Sequence, residues 1–257
     1  MKRFVCSLAI ALAVSAPASG AAESSARILS SVSVVAPGES FLVGVRIVMP
    51  DGWHTYWKNP GDSGAKPRFE WNVPAGLAME PLPWPAPERF GEPPIVSYGY
   101  ENEAWFLWRA RWDGPPPGSG RIEISLSAEW LICKDVCLPV FQDAALVLSA
   151  GRAAQASAEA ARLQSMVGTL PGRVPAESVD VRIEDGRLWI FPSGLEREED
   201  AAFYPFDPLL IDHSAPQRIA ERGGRNALAI PLAEEGAEPA RRPGGVLVRD
   251  GKAVLIP

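Results

Sequence analysis

The sequence predicts a mainly β protein: an antiparallel sandwich, a short helical spacer, and a second, smaller β domain. Three observations carry that expectation. Apolar and polar residues alternate in short runs separated by turn signals, the pattern of half-buried strands. The 23 Gly and 26 Pro residues are scattered along the chain, which leaves room for a sustained helix in one segment only. Eight of the nine tryptophans fall between Trp53 and Trp130, so the first half needs a large aromatic core or an aromatic-lined site.

The chain opens with Met1-Lys2-Arg3, an apolar run from Phe4 to Val14, and the small residues Ala16 to Ala22. Basic start, apolar core and small-residue end form the pattern of a secretory signal peptide over residues 1–22, with cleavage after Ala22 or Ala18. A membrane anchor needs roughly 20 apolar residues, and this run is shorter. Cys6 lies inside it and leaves with it. The mature chain is then expected to be exported, with no transmembrane segment. Its 23 basic and 31 acidic residues argue against nucleic acid and anionic membrane surfaces as partners.

The sandwich is expected over residues 23–150. Ser31 to Val35 alternates, Pro37-Gly38-Glu39 turns, and Phe41 to Val48 forms a strand with Val43, Val45 and Ile47 on one face. Trp53 to Trp57 reads as a short aromatic strand, and Asn59 to Pro67 as a polar loop. Arg68 to Trp71 and Leu77 to Met79 are brief strands. Pro81, Pro83, Pro85, Pro87, Pro93 and Pro94 exclude a central strand or a helix, leaving an extended surface segment that holds Phe90. Ala104 to Trp112 is a strong strand, with Trp108 and Trp112 on one face and Trp105 and Leu107 on the other. After the loop at 114–120, Ile122 to Ile132 and Phe141 to Leu148 complete the set.

Ala150 to Val167 is Ala-rich, with Ala154, Ala158, Ala161, Leu163 and Met166 at helical spacing; the spacer is assigned to 151–171. Residues 172–257 read as the second β domain. Asp185-Gly186 joins Val179–Ile183 to Leu188–Phe191 as a hairpin. Leu209 to Ile211, Ala227 to Pro231, Gly245 to Arg249 and Ala253 to Ile256 are further strands, with Asp250-Gly251 a second such turn. No residue pattern in this region points to chemistry.

Two cysteines remain after export, in Trp130-Leu131-Ile132-Cys133-Lys134-Asp135-Val136-Cys137-Leu138-Pro139. An oxidising compartment allows them to pair. A regular helix holds i and i+4 Cβ atoms about 6 Å apart, whereas a disulfide wants about 3.8 Å. A tight hairpin with Lys134, Asp135 and Val136 as its loop could set them opposite one another. As a staple the bond is weak: a loop this small contributes about 2 kcal/mol, against about 4.7 for a 100-residue loop. A short, strained disulfide is of the reducible kind. Lys134 favours a thiolate and Asp135 opposes it. Two other readings stay open: a Cu(I) site on the thiolates of Cys133 and Cys137, with His54 and Met79 as nearest extra ligands, and a static scaffold with an inert disulfide. Zinc wants four ligands, and nothing in the spacing supports a cysteine protease.

The segments Gly52-Trp53-His54-Thr55-Tyr56-Trp57-Lys58-Asn59-Pro60-Gly61-Asp62-Ser63-Gly64, Tyr98-Gly99-Tyr100-Glu101 and Trp130 to Pro139 resemble the periplasmic N-terminal domain of membrane thiol:disulfide interchange (DsbD-type) proteins. The likeness is to the copper-sensitivity-suppressor branch above all, whose cysteine spacing this chain shares. Phe203-Tyr204-Pro205 and Gly244 to Leu247 resemble that branch's second β domain more weakly. The resemblance implies an immunoglobulin-like sandwich with the pair at a hairpin end. It implies electron relay from a thioredoxin-like partner to oxidised exported proteins, with no cofactor. It implies a mixed disulfide at Cys137 with Cys133 resolving, a cap from the segment Glu88-Arg89-Phe90-Gly91 tipped by Phe90, and Tyr56 lining the pair. Ordinary core packing is the competing role for Tyr56 and Phe90. Family members continue into membrane helices and a thioredoxin-like domain, so here the donor is expected to be a separate protein, such as a membrane electron carrier.

Overall fold

A computed structural model describes residues 23–114, 120–175, 178–234 and 243–256. The signal-peptide segment and most of the 114–120 loop lie outside the described residues.

The first half builds two sheets. Its strands are β1 (Ser25–Ser30), β2 (Val32–Val35), β3 (Ser40–Val48), β4 (His54–Gly61), β5 (Arg68–Asn72), β6 (Leu77–Pro81), β7 (Glu88–Phe90), β8 (Ser97–Glu101), β9 (Glu103–Trp112), β10 (Arg121–Cys133), β11 (Cys137–Ala150) and β12 (Gln155–Ala156). One sheet runs β1-β3-β9-β6; the other runs β12-β2-β11-β10-β4-β8-β7, with β5 also on β10. All pairs are antiparallel except β11 with β2.

The expected alternation is what joins the sheets. Val43, Val45 and Ile47 of β3 and Phe106, Trp108 and Trp112 of β9 meet Ile122, Ile124, Leu126, Trp130 and Ile132 of β10 in one core. This is the immunoglobulin-like sandwich. The first strand corrects the expectation. Ser31 is a switch, with β1 in one sheet and β2 in the other. Its hydroxyl accepts the Leu42 N–H at 2.9 Å, satisfying the backbone where the chain changes layers.

The Pro-rich stretch forms no central strand, in keeping with its composition, but it is more than a surface segment. Trp84 packs edge-on against Phe106 at 4.6 Å, Pro87 is buried, and the Tyr100 hydroxyl donates to the Pro85 carbonyl at 2.9 Å. Pro81 ends β6 opposite Trp108, and Glu88–Phe90 pairs as the edge strand β7.

The helix α1 spans Ala160–Val167, ten residues shorter at its start than the Ala-rich pattern suggests. Gln155 and Ala156 pair with β2 instead, and the Ser157 hydroxyl accepts the Glu159 N–H at 3.0 Å just ahead of the helix. Leu163 is fully buried against Leu42, Trp105 and Leu107, so α1 covers the outer face of β3 and β9. Gly44 permits that contact. A Cβ there would stand 2.6 Å from Leu163 Cδ2 and 3.0 Å from Leu107 Cδ2.

Beyond α1 lie β13 (Gly172–Arg173), β14 (Val179–Glu184), β15 (Arg187–Pro192), β16 (Ala201–Pro205), β17 (Arg218–Arg222), β18 (Arg225–Pro231), β19 (Gly245–Arg249) and β20 (Lys252–Ile256). They form two sheets, β13-β20-β19-β16 and β14-β15-β18-β17, around Leu188, Ile190, Phe203, Leu228, Ile230 and Leu247. Asp185 and Gly186 both take positive φ, as a two-residue hairpin turn requires. Leu209–Ile211 is not a strand; Ile211 makes only an isolated bridge to Leu232. Tyr204, Phe206 and Val246 join the core of the first half, so the two β units share packed side chains.

Filling Gly44 should displace α1. Gly44→Val is expected to lower stability by about 1–3 kcal/mol, the usual range for overpacking. Leu163→Ala in the same chain should recover part of that loss, giving a non-additive double-mutant cycle in thermal unfolding.

Candidate functional site

The site grows from one hairpin. β10 and β11 pair in unbroken register from Arg121↔Ser149 to Cys133↔Cys137, so the strand ends bring the two cysteines opposite each other. Lys134, Asp135 and Val136 close the turn, the Lys134 N–H donating to the Val136 carbonyl at 3.2 Å. The sulfurs are bonded at 2.03 Å, with Cα atoms 4.2 Å apart.

The two sulfurs differ in environment. Cys133 also pairs with His54 of β4, so strands flank it on both sides and it is 3% exposed. Cys137 has β10 on one side only and is exposed. Of the two sulfur-bearing residues, Cys137 is therefore the one open to solvent.

β4 supplies the wall. Its period of two sends His54 and Tyr56 to one face. The Tyr56 hydroxyl donates to Cys133 Sγ at 2.9 Å and lies 3.5 Å from Cys137 Sγ. The buried ring needs Gly64 beside it, because any Cβ at that position would overlap the ring carbons. Burial pushes the Tyr56 phenol up, partly offset by a hydrogen bond from Ser63, so the hydroxyl keeps its proton at neutral pH. It is a donor aimed at sulfur.

Phe90 stands next to His54. Its ring stacks on His54 at 4.6 Å with planes 9° apart, and His54 meets Tyr56 edge-on at 5.4 Å. Burial lowers the His54 pKa, with Glu101 acting the other way. The structure thus brings Cys133, Cys137, Tyr56 and Phe90 into one cluster, with His54 as the bridge. The sequence offered His54 as a strand residue or as an extra ligand for Cu(I), not as a partner of Phe90; the available signal was its two-residue spacing from Tyr56. Glu88 does not join the cluster: it is exposed, and its charge acts on Tyr204. Lys134 directs its ammonium to the Asp51 carbonyl at 3.4 Å.

Near the exposed sulfur three apolar side chains are open to solvent, beside the exposed Lys134 and Asp135. Val136 is 59% and Phe141 70% exposed, and Leu138 is also open. Phe141 follows Cys137 by four strand positions, so both lie on the same face of β11. Met79 lies on β6, opposite Ala110, in the other sheet. Among the described residues no group of three or more His, Cys, Asp and Glu is arranged to hold a metal ion.

Residues 25–149 match the family described as thiol:disulfide interchange protein DsbD, N-terminal. Among solved structures, the chain is similar to the N-terminal periplasmic domain of ScsB from Proteus mirabilis. That match has a TM-score of 0.60 and 16% identity over 90% of this chain and 91% of that one, so the shared fold extends into the second β unit. A substituted form of BcpA, the major pilin subunit of Bacillus cereus, gives a TM-score of 0.32 and 8% identity over 89% of this chain and 59% of that one. No curated protein matches the sequence.

Removing the Tyr56 hydroxyl tests its role at sulfur. A hydrogen bond to a charged group is worth about 1.5 kcal/mol or more, so Tyr56→Phe should slow reduction of the disulfide by a small thiol about tenfold. Alkylation of released thiols over time measures it. The His54 shift carries a second expectation. A folded-state pKa below the ordinary 6.5 means the unfolded chain binds the proton more readily. His54 thus supports stability above pH 6.5, and that support is lost as pH falls from 6.5 through the lowered folded value. Thermal midpoints should drop across that window in the native chain and drop less in His54→Phe.

Proposed function

Starting from residues 25–149 as a domain of the DsbD N-terminal family, we propose that this protein relays electrons by thiol–disulfide exchange through Cys133 and Cys137 in the periplasm. The donor is a thioredoxin-like protein or membrane electron carrier, and the acceptors are oxidised exported proteins. The observation that carries this reading is the contrast between an exposed Cys137 and a Cys133 buried beneath a phenol donor.

The chemistry follows from that contrast. A partner thiolate attacks Cys137 Sγ, forming a mixed disulfide and breaking the Cys133–Cys137 bond. Cys133 leaves as a thiolate, and the electron pair on its sulfur is stabilised by the Tyr56 O–H. A second thiolate of the same partner attacks its own sulfur in the mixed disulfide and releases Cys137. The protein has gained two electrons and, after protonation, two protons; the partner has become a disulfide. Running in reverse, the Cys137 thiolate attacks an oxidised client and Cys133 resolves the mixed disulfide. No cofactor enters any step. Phe90, stacked over His54, acts as a lid that narrows the approach to the pair and moves aside for a docked partner. Val136 in the turn and Phe141 further along the same face of β11 offer that partner apolar contact beside Cys137.

Partner trapping tests the assignment. Cys133→Ala should accumulate mixed disulfides through Cys137 in periplasmic extracts, and Cys137→Ala should accumulate few, because Cys133 is buried. Equal trapping by both variants would reverse the roles. Trapping by neither, together with tight Cu(I) binding by the reduced protein that survives glutathione competition, would transfer the two thiolates to copper handling instead.

A further inference from the structure

The cap strand β7 is short, with three residues, and lies at the edge of its sheet. Three backbone pairs tie it to β8: Glu88↔Gly99, Arg89↔Tyr98 and Phe90↔Ser97. So short an edge strand would fray if nothing else held it. Something else does, and it comes from the second β unit.

Arg89 reaches out of the cap strand. Its Nη2 donates to the His213 carbonyl at 3.3 Å and, at a longer 3.5 Å, to the Ser214 carbonyl. Those carbonyls sit on a braced loop: Asp212 Oδ1 accepts from the Ser214 N–H at 2.9 Å, the Ser214 hydroxyl at 2.7 Å and the Ala215 N–H at 3.2 Å. Tyr98, the cross-strand partner of Arg89, makes the second tie. It is 1% exposed, and its hydroxyl lies 3.0 Å from His213 Nδ1. His213 Nε2 lies 2.8 Å from the Pro208 carbonyl, which can only accept. In the neutral ring Nε2 therefore carries the proton, Nδ1 accepts, and the Tyr98 hydroxyl donates to it. The Tyr98 ring also meets Tyr204 and His213 edge-on, each at 5.1 Å.

The strand that lines the disulfide is held from the same side. Asn59 of β4, 1% exposed, donates from Nδ2 to the Pro205 carbonyl at 2.8 Å. Trp57 packs against Phe206 at 5.9 Å. Segment 203–214 of the second unit thus touches β4, β7 and β8, the three strands that carry Tyr56, Phe90 and the pairing between them.

We propose that the second β unit latches the cap: Arg89, Tyr98 and His213 are positioning residues that keep Phe90 stacked on His54 and so set how often the disulfide is open to thiols. The inference rests on the reading of Phe90 as a lid. A lid in two-state equilibrium admits reagent in proportion to its open population. Losing one hydrogen bond of ordinary strength shifts such an equilibrium by about two- to tenfold.

The test is the rate at which glutathione reduces the disulfide in the full chain. Three variants are compared at one pH: Phe90→Ala, Arg89→Met and Tyr98→Phe. The last two keep most of the side-chain volume, and thermal midpoints near that of the native chain certify the fold. All three are expected to react faster than the native chain, about two- to tenfold for Arg89→Met and Tyr98→Phe, with Arg89→Lys closer to native. Hydrogen exchange at the β7 amides should accelerate in the same two variants. If Phe90→Ala speeds reduction while Arg89→Met and Tyr98→Phe react at the native rate, the lid exists but the latch does not. If Phe90→Ala itself reacts at the native rate, there is no lid, and the latch falls with it.

Discussion

The structure depends on one pairing: Cys133 sits in a sheet with strands on both sides, and Cys137, directly opposite, has a strand on one side only. Two chemically identical sulfurs joined by one bond thereby become unlike. One is buried beneath a tyrosine hydroxyl; the other faces solvent beside apolar side chains. In the proposed exchange, attack at the open sulfur makes the buried one the leaving group, and the phenol donor is already in place for the charge that forms there.

That pairing needs a rigid frame, and the frame is aromatic. β9 turns Phe106, Trp108 and Trp112 into the sandwich core and Trp105 and Leu107 toward α1, so it is packed on both faces. The helix is short, without acidic residues in its first turn or basic ones in its last, and its place is secured by burial of Leu163 against a glycine in β3. The hairpin projects from this frame with its register fixed over its length. A slip of one residue would turn the core face of β10 outward and separate the sulfurs.

The second β unit is more than an appendage. Its Tyr204, Phe206 and Val246 enter the core of the first, and its 203–214 segment meets the strands around the disulfide. A site built on one sandwich is thus braced from outside it, through a buried histidine and an arginine at the sheet edge. The two contributions differ physically. Backbone register sets the sulfur geometry, while side-chain contacts across the units meet the edge strand β7 and its neighbour β8, and such contacts open at lower free energy than a continuous ladder.

The sequence by itself determined much of this. Alternation at Phe41–Val48, Ala104–Trp112 and Ile122–Ile132 marked the strands and their buried faces, because a period of two is a local property that survives in any sheet. The spacing of Cys133 and Cys137 excluded a regular helix for an oxidised pair and allowed a tight hairpin, because disulfide geometry is itself local. Only the tertiary structure decided the rest. Ser31 switches sheets and the Gln155–Ala156 stretch pairs with β2 rather than joining the helix, since both outcomes depend on which edge is free. β8 gave no strand signal around Gly99, yet that glycine is what admits the Thr55 carbonyl of β4. His54 became a bridge between Phe90 and Cys133, and Glu88 fell outside the cluster, because cross-strand neighbours are set by sheet order. Sheet order rests on contacts between residues far apart in the chain, and no local pattern encodes which of them meet.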